Sequence, residues 1–396
     1  MMLNETYRAM LGNKSVIRET FMYGKQRAAE IGYENVFDYS LGNPSVPCPP
    51  EFTAAMQDLL ANEEPVNLHG YCPSQGDPGF RADVAAHLAK TFGLPYEQKH
   101  IFPTTGAAGA IAHAIRAVTQ PGDEVLTFAP YFPEYGPYVA GTGAVLKVVP
   151  PQAPTFQPNL DAFEQMLTEK VTAVLINTPN NPTGVVYSAQ TLTRMADILT
   201  EKSKAFGHNI FLVSDEPYRD IAFDGKKVPY PAAFYPHTLT CFSYSKSLSL
   251  PGERLGYVAV RPGCEGEDIL VDMMAQISRF TGNNCPPSII QRAVGRCQEV
   301  TSDLSVYETN MNLLYDKLTA LGFEVERPGG TLYIFPKALE EDANAFCLKA
   351  REFDLLLVPS DTFGVKGYVR LAYCIDTEKV KRSLPALEKL AAAYRK

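Results

Sequence analysis

Between about residues 100 and 260, short apolar runs alternate with stretches of helical spacing, and few folds accommodate that order. The runs at 125–128, 172–176, 210–213, 239–242 and 257–260 are short and apolar, as strands buried on both faces are. Residues 106–118 and 189–204 repeat their apolar positions at intervals of three and four, as helices do. The expected fold class is α/β, with a largely parallel sheet covered by helices on both faces. Ligands bind such sheets beyond the carboxyl ends of the strands. Three polar residues fall at those ends: Asn181, Asp215 and Lys246.

The character changes after about residue 285. A helical stretch at 305–320 is followed by short runs at 323–325 and 331–335, a helix near 343–352, runs at 355–358 and 368–373, and a final helix from 377. Strands and helices without strict alternation indicate an α+β part. A chain of 396 residues also exceeds the size at which one hydrophobic core keeps growing. We therefore expect a large α/β domain over 46–284 and a smaller α+β domain built from 1–45 and 285–396. The first forty residues are expected to supply one helical stretch to that smaller domain.

Composition narrows the function classes. With 45% hydrophobic and 20% charged residues the chain is of ordinary globular type, and a net charge of −8 without a basic run disfavours nucleic acid as a partner. No apolar stretch is long enough to span a bilayer, and the first residues lack the pattern of a secretory signal, so no membrane partner and a cytoplasmic location are expected. The eight cysteines contain no C-x-x-C pair, which argues for reduced thiols and against a metal site or a disulfide framework.

Four strings carry possible chemistry. In Ser243-Tyr244-Ser245-Lys246, with Arg254 eight residues after the lysine, an amine stands among hydroxyls and a cation, which is a setting for a nucleophilic amine beside an anion site. Gly106, Ala107 and Ala108 open a helix, and small residues there let an anion approach exposed backbone N–H groups; close helix-to-sheet packing explains them equally well. Asp215-Glu216-Pro217-Tyr218 ends a strand, either as a helix cap or as the partner of a cationic ring nitrogen. A dense turn signal, Asn177 to Gly184, offers side-chain amides to a ligand or only closes a turn.

Taken together, Asn181-Pro182-Thr183-Gly184, Asp215-x-x-Tyr218, Ser243-x-x-Lys246 with Arg254, and Arg370 in Tyr368-Val369-Arg370-Leu371-Ala372 resemble the class I/II pyridoxal-phosphate aminotransferases of fold type I, the aspartate aminotransferase-like family. The resemblance runs from about Gly42 to Arg370, in the family's order. It implies a mostly parallel seven-stranded sheet, pyridoxal 5'-phosphate as cofactor, and amino-acid and 2-oxo-acid substrates. Lys246 would hold the cofactor aldehyde as an aldimine and then move a proton; Asp215 would keep the ring nitrogen protonated; Asn181 and Tyr218 would bond the ring hydroxyl. Gly106, Ala107, Ala108, Ser243 and Arg254 would seat the phosphate, and Tyr131 would stack on the ring. Gly42 and Arg370 would bind the substrate carboxylate, and Tyr71 would reach the cofactor of a second subunit, which makes a homodimer the expected assembly.

Two positions depart from the family pattern. Ala108 stands where some members acting on acidic substrates carry lysine, and the stacking position is tyrosine in place of tryptophan. The function expected is transfer of an amino group from an L-amino acid to a 2-oxo acid such as 2-oxoglutarate. A carbon–sulfur β-lyase on the same fold, and a non-catalytic regulator on an aminotransferase fold, are the alternatives.

Overall fold

The computed structural model describes residues 3–11 and 15–395. Its centre is a seven-stranded sheet of β1 (Ile101–Thr104), β2 (Glu124–Phe128), β3 (Val145–Val149), β4 (Val171–Asn177), β5 (Phe211–Asp215), β6 (Thr238–Ser243) and β7 (Gly256–Val260), in the order β1-β7-β6-β5-β4-β2-β3. Strands β2 to β6 pair in parallel, and β7 runs antiparallel to both of its neighbours.

Side chains alternate across these strands with a period of two, and the alternation divides the core. Val125, Leu175, Val213, Leu239 and Val258 face the helix Gly106–Val118 through Ile111, Ala114 and Ile115. Leu126, Val174, Ile176 and Leu212 face the opposite way, onto Leu192, Met195 and Leu199 of the helix Ala189–Phe206. Both faces are therefore dry, as the continuous apolar runs require. Functional groups are left only one place to meet a ligand: the edge where the strands end.

The direction of β7 matters at that edge. Because β7 runs opposite to the rest, its amino end, preceded by Arg254, lies with the carboxyl ends of β1, β4, β5 and β6.

The smaller part is built on Val369–Ala372, which pairs antiparallel with Val358–Pro359 and with Tyr333–Ile334. Phe37–Asp38 pairs in parallel with Leu355–Leu356, and Tyr39 shares a buried cluster with Tyr307, Leu314, Phe346 and Leu387. Three expectations change. The N-terminal segment contains two helices, Glu5–Met10 and Val16–Ile31, not one. Residues 323–325 form no strand. The helix Ser288–Gly295 sends Ile290, Ala293 and Val294 into the cluster of Phe52, Phe80, Val84 and Leu88, so a division at 285 falls too early. Among the described residues no helix is long and apolar enough to cross a membrane.

Candidate active site

A cavity of about 530 Å³ opens at the carboxyl edge of the sheet, between the two parts of the chain. Its wall includes Gly42, Ala107, Ala108, Asn181, Asp215, Tyr218, Ser243, Lys246, Arg254 and Arg370. Residues more than 320 positions apart in sequence thus share one space.

Lys246 lies in the single turn Tyr244–Ser247 that follows β6. Its Nζ donates to the Gly42 carbonyl at 2.5 Å. Burial lowers its pKa from the ordinary lysine value; the nearby Cys374 thiol opposes this, while the guanidinium groups of Arg370 and Arg254 push the same way as burial. A larger fraction of the amine is therefore unprotonated and nucleophilic than on an exposed lysine.

Asp215 is the last residue of β5 and is buried. Its Oδ2 accepts from the Tyr135 hydroxyl at 2.6 Å, whereas its Oδ1 has no partner among the described residues. Burial pushes the carboxyl up to about 7; the Tyr135 hydrogen bond works against this and the neighbouring Glu216 adds to it. A buried carboxylate oxygen left unpaired costs several kcal/mol in an isolated fold, and a cationic group in the cavity removes that cost.

Asn177 ties two strand ends together. Its Nδ2 donates to the Asp215 carbonyl at 2.8 Å, and its Oδ1 accepts from the Asn181 backbone N–H at 2.6 Å. The turn beyond is closed by Asn180, whose Oδ1 accepts from the Thr183 hydroxyl at 2.8 Å and whose carbonyl accepts from the Gly184 N–H at 2.8 Å. Gly184 has φ 77° and packs on Pro328, where a side chain would be strained and crowded. Asn181 is thereby fixed, and its Oδ1 accepts from Arg370 Nη1 at 3.2 Å.

Arg370 is buried in Val369–Ala372. Its Nη2 donates to the Ser40 carbonyl at 2.6 Å, and its Nε has no partner among the described residues. Burial lowers its pKa, yet among the described residues no carboxylate side chain pairs with it. A buried guanidinium so placed is a receptor for an anionic group that enters the cavity.

Small residues and hydroxyls gather at the other end. Gly106 has φ 78°, and a Cβ there would come within 2.8 Å of Arg254 Nη2, so only glycine lets the arginine lie across the start of the helix. Arg254 Nη2 donates to the Thr105 carbonyl at 3.2 Å, and the Ser243 and Ser245 hydroxyls are 2.7 Å apart. A cation, two hydroxyls and backbone N–H groups at a helix start are together a setting that can receive an anion.

One residue does not stand where the sequence reading put it. Tyr131 is outside the cavity wall: its N–H donates to the Phe363 carbonyl and its ring packs on Gly364. Its neighbour Phe132 lines the cavity instead. Tyr71, expected to reach a second subunit, does not line this cavity and is fully exposed.

Sequence reasoning missed Phe132, Tyr135 and Tyr333. The aromatic run Tyr131 to Tyr135 after β2 was the available signal for the first two. For Tyr333, the signal was a tyrosine in an otherwise apolar strand, since a buried hydroxyl needs a partner.

The chain's similarities agree with this geometry. Residues 34–387 match the model of the family described as aminotransferase class I and II. An aspartate aminotransferase from Geobacillus stearothermophilus is 30% identical over 82% of this chain and 84% of its own length. An aromatic-amino-acid aminotransferase from Thermococcus litoralis is 28% identical over 96% of both chains. The crystal structure of an aminotransferase from Eubacterium rectale superposes with a TM-score of 0.97 at 44% identity, covering all of both chains. With its matched span, its fold and an amine, a carboxylate and a guanidinium in one cavity, the chain belongs to the class I and II aminotransferases, the aspartate aminotransferase-like pyridoxal-phosphate enzymes of fold type I.

Proposed function

We propose that the chain transfers the amino group of an L-amino acid to a 2-oxo acid such as 2-oxoglutarate, with pyridoxal phosphate attached at Lys246. The observation that carries this reading is the unpartnered Oδ1 of buried Asp215 in the cavity that also holds the Lys246 amine. A cationic ring nitrogen fits that oxygen, and the cradle of Gly106, Ala107, Ala108, Ser243 and Arg254 fits a phosphate. When bound, the cofactor supplies an electron sink and a temporary carrier for the amino group.

The chain's own residues supply the rest. Arg370 binds the substrate α-carboxylate through its guanidinium, with the backbone of Gly42 beside it, and so fixes the orientation of Cα. Lys246, once freed by the incoming amine, would be the base that takes the Cα proton and delivers it to the cofactor carbon on the other side of the transferred nitrogen. Asp215 keeps the ring nitrogen protonated, Tyr218 and Asn181 bond the ring hydroxyl, and Phe132 takes the ring-covering role expected of Tyr131. The exposed Tyr71 belongs to a homodimer contact in this reading, reaching the second subunit's phosphate, and the cytoplasm is the proposed location. The larger domain, which we now extend from 46 through the helix ending at Gly295, holds the cofactor.

The test is a panel of L-amino acids with 2-oxoglutarate. Glutamate formed in step with the matching 2-oxo acid is the expected product; pyruvate and ammonia released without consumption of 2-oxoglutarate would instead mean β-elimination. Arg370→Ala is expected to raise KM for every amino acid in the panel on the order of a hundredfold, because it removes about 3 kcal/mol of charge-assisted bonding to a group they all share. A rise confined to one substrate would assign Arg370 to the side chain.

A further inference from the structure

Four contacts meet on Tyr333. Its hydroxyl lies 3.2 Å from the Tyr218 hydroxyl, and the two rings meet edge to face at 5.7 Å. The Arg370 guanidinium sits over the ring, 4.5 Å from its centroid. A Cβ on Gly42 would come within 2.0 Å of the Tyr333 hydroxyl oxygen, so the hydroxyl rests on the backbone of the residue whose carbonyl receives Lys246.

Strand register explains the arrangement. Tyr333 pairs directly with Ala372, and Arg370, two residues before Ala372, is its diagonal neighbour on the same face. Diagonal neighbours are within reach of one another when both side chains are long. The guanidinium, held by Asn181 Oδ1 and the Ser40 carbonyl at its two outer nitrogens, lies nearest the Tyr333 ring, with the Phe363 ring at 5.2 Å as a second aromatic contact, and these rings constrain its plane.

We propose that Tyr333 is a positioning residue that couples the two ends of the substrate site: its hydroxyl orients the Tyr218 hydroxyl, and its ring orients the Arg370 guanidinium. The proposal rests on the aminotransferase reading above. A phenol has one proton. When Tyr218 gives its proton to an oxygen in the cavity, Tyr333 has to be the donor to Tyr218, and a donor chain of this kind polarises each member. Burial raises the Tyr218 pKa well above the ordinary value, so Tyr218 keeps the proton it is to donate. The ring acts separately, because it touches Arg370 without the hydroxyl.

Separate variants test the two roles. Pyridoxal phosphate affinity is measured by equilibrium dialysis for wild type, Tyr218→Phe, Tyr333→Phe and the double variant. Each single variant is expected to bind the cofactor about three- to tenfold more weakly, and the double variant no more weakly than Tyr218→Phe alone, since the Tyr333 hydroxyl acts through Tyr218. For the ring, Tyr333→Leu is expected to raise KM for every amino acid about fivefold or more, while Tyr333→Phe keeps it within about twofold of wild type. Tyr333→Met replaces the leucine variant if that chain does not fold. Additive losses in the double variant, or equal KM rises for Tyr333→Phe and Tyr333→Leu, would overturn the proposal and leave the aminotransferase reading intact. Wild-type protein that takes up no cofactor would overturn both.

Discussion

Replacing Lys246 with alanine is expected to abolish covalent attachment of pyridoxal phosphate and to reduce turnover about 10⁴-fold, the upper range for loss of a positioned acid–base group. The size of the effect follows from the amine holding two tasks at one place. Its short helical turn brings Nζ to 2.5 Å from the Gly42 carbonyl, and burial makes the neutral form more accessible than on an exposed lysine. Among the described residues no second lysine lines the cavity. The measurement is borohydride reduction followed by intact mass. Wild type should gain one pyridoxyl group and the variant none, although the variant should still hold cofactor through Asp215 and the phosphate cradle. Added methylamine should restore part of the proton transfer, because the substitution leaves space where the side chain was. A reducible adduct of equal yield in the alanine variant would remove Lys246 from the role assigned to it.

The strand ends explain why this residue could be found from sequence. Continuous apolar runs at β4, β5 and β6 mark strands buried on both faces, and a polar residue just past such a run has only the ligand edge to occupy. Asn181, Asp215 and Lys246 were legible for that reason. The two strands of the large sheet that escaped the reading, β1 and β3, are its edges. Pro103 interrupts the apolar character of β1, and in β3 Lys147 reaches Glu124 while Val145 is exposed. Edge strands carry such residues because one side is unpaired. The signal that identifies central strands is absent there for a physical cause.

Side-chain direction was the other limit. Tyr131 and Phe132 are adjacent and both aromatic, and which of them faces the cavity is decided by the backbone bond from Tyr131 to Phe363, more than 230 residues away. Tyr135 and Tyr333 owe their places at the site to long-range pairing as well, with Asp215 and with Tyr218 and Arg370. Sequence spacing contains none of these distances. It locates the elements; tertiary contact chooses the residue within each.

Asp215→Asn is expected to do opposite things to the protein with and without cofactor. Burial pushes the Asp215 carboxyl from 3.8 up to about 7, so the folded chain without cofactor binds this proton more tightly than the unfolded chain does. Stability then falls as pH rises from about 4 to about 7 and is level above that range. A shift of about three units corresponds to about 4 kcal/mol. Asparagine keeps the shape, can still accept from Tyr135, and has no charge to desolvate. Cofactor-free Asp215→Asn should therefore be more stable than wild type at pH 8, by up to about 4 kcal/mol, and no more stable at pH 4. Glu216, also buried and paired with Arg219 at 3.1 Å, is present in both proteins, so their difference reports the Asp215 charge together with its repulsion by Glu216. With cofactor bound the order should reverse, since only the carboxylate neutralises a cationic ring nitrogen, and turnover should fall on the order of a thousandfold. Thermal unfolding of both proteins at pH 4 and pH 8, with and without pyridoxal phosphate, measures each arm. Parallel pH profiles for the two cofactor-free proteins would mean that Asp215 is not the group whose charge the fold resists.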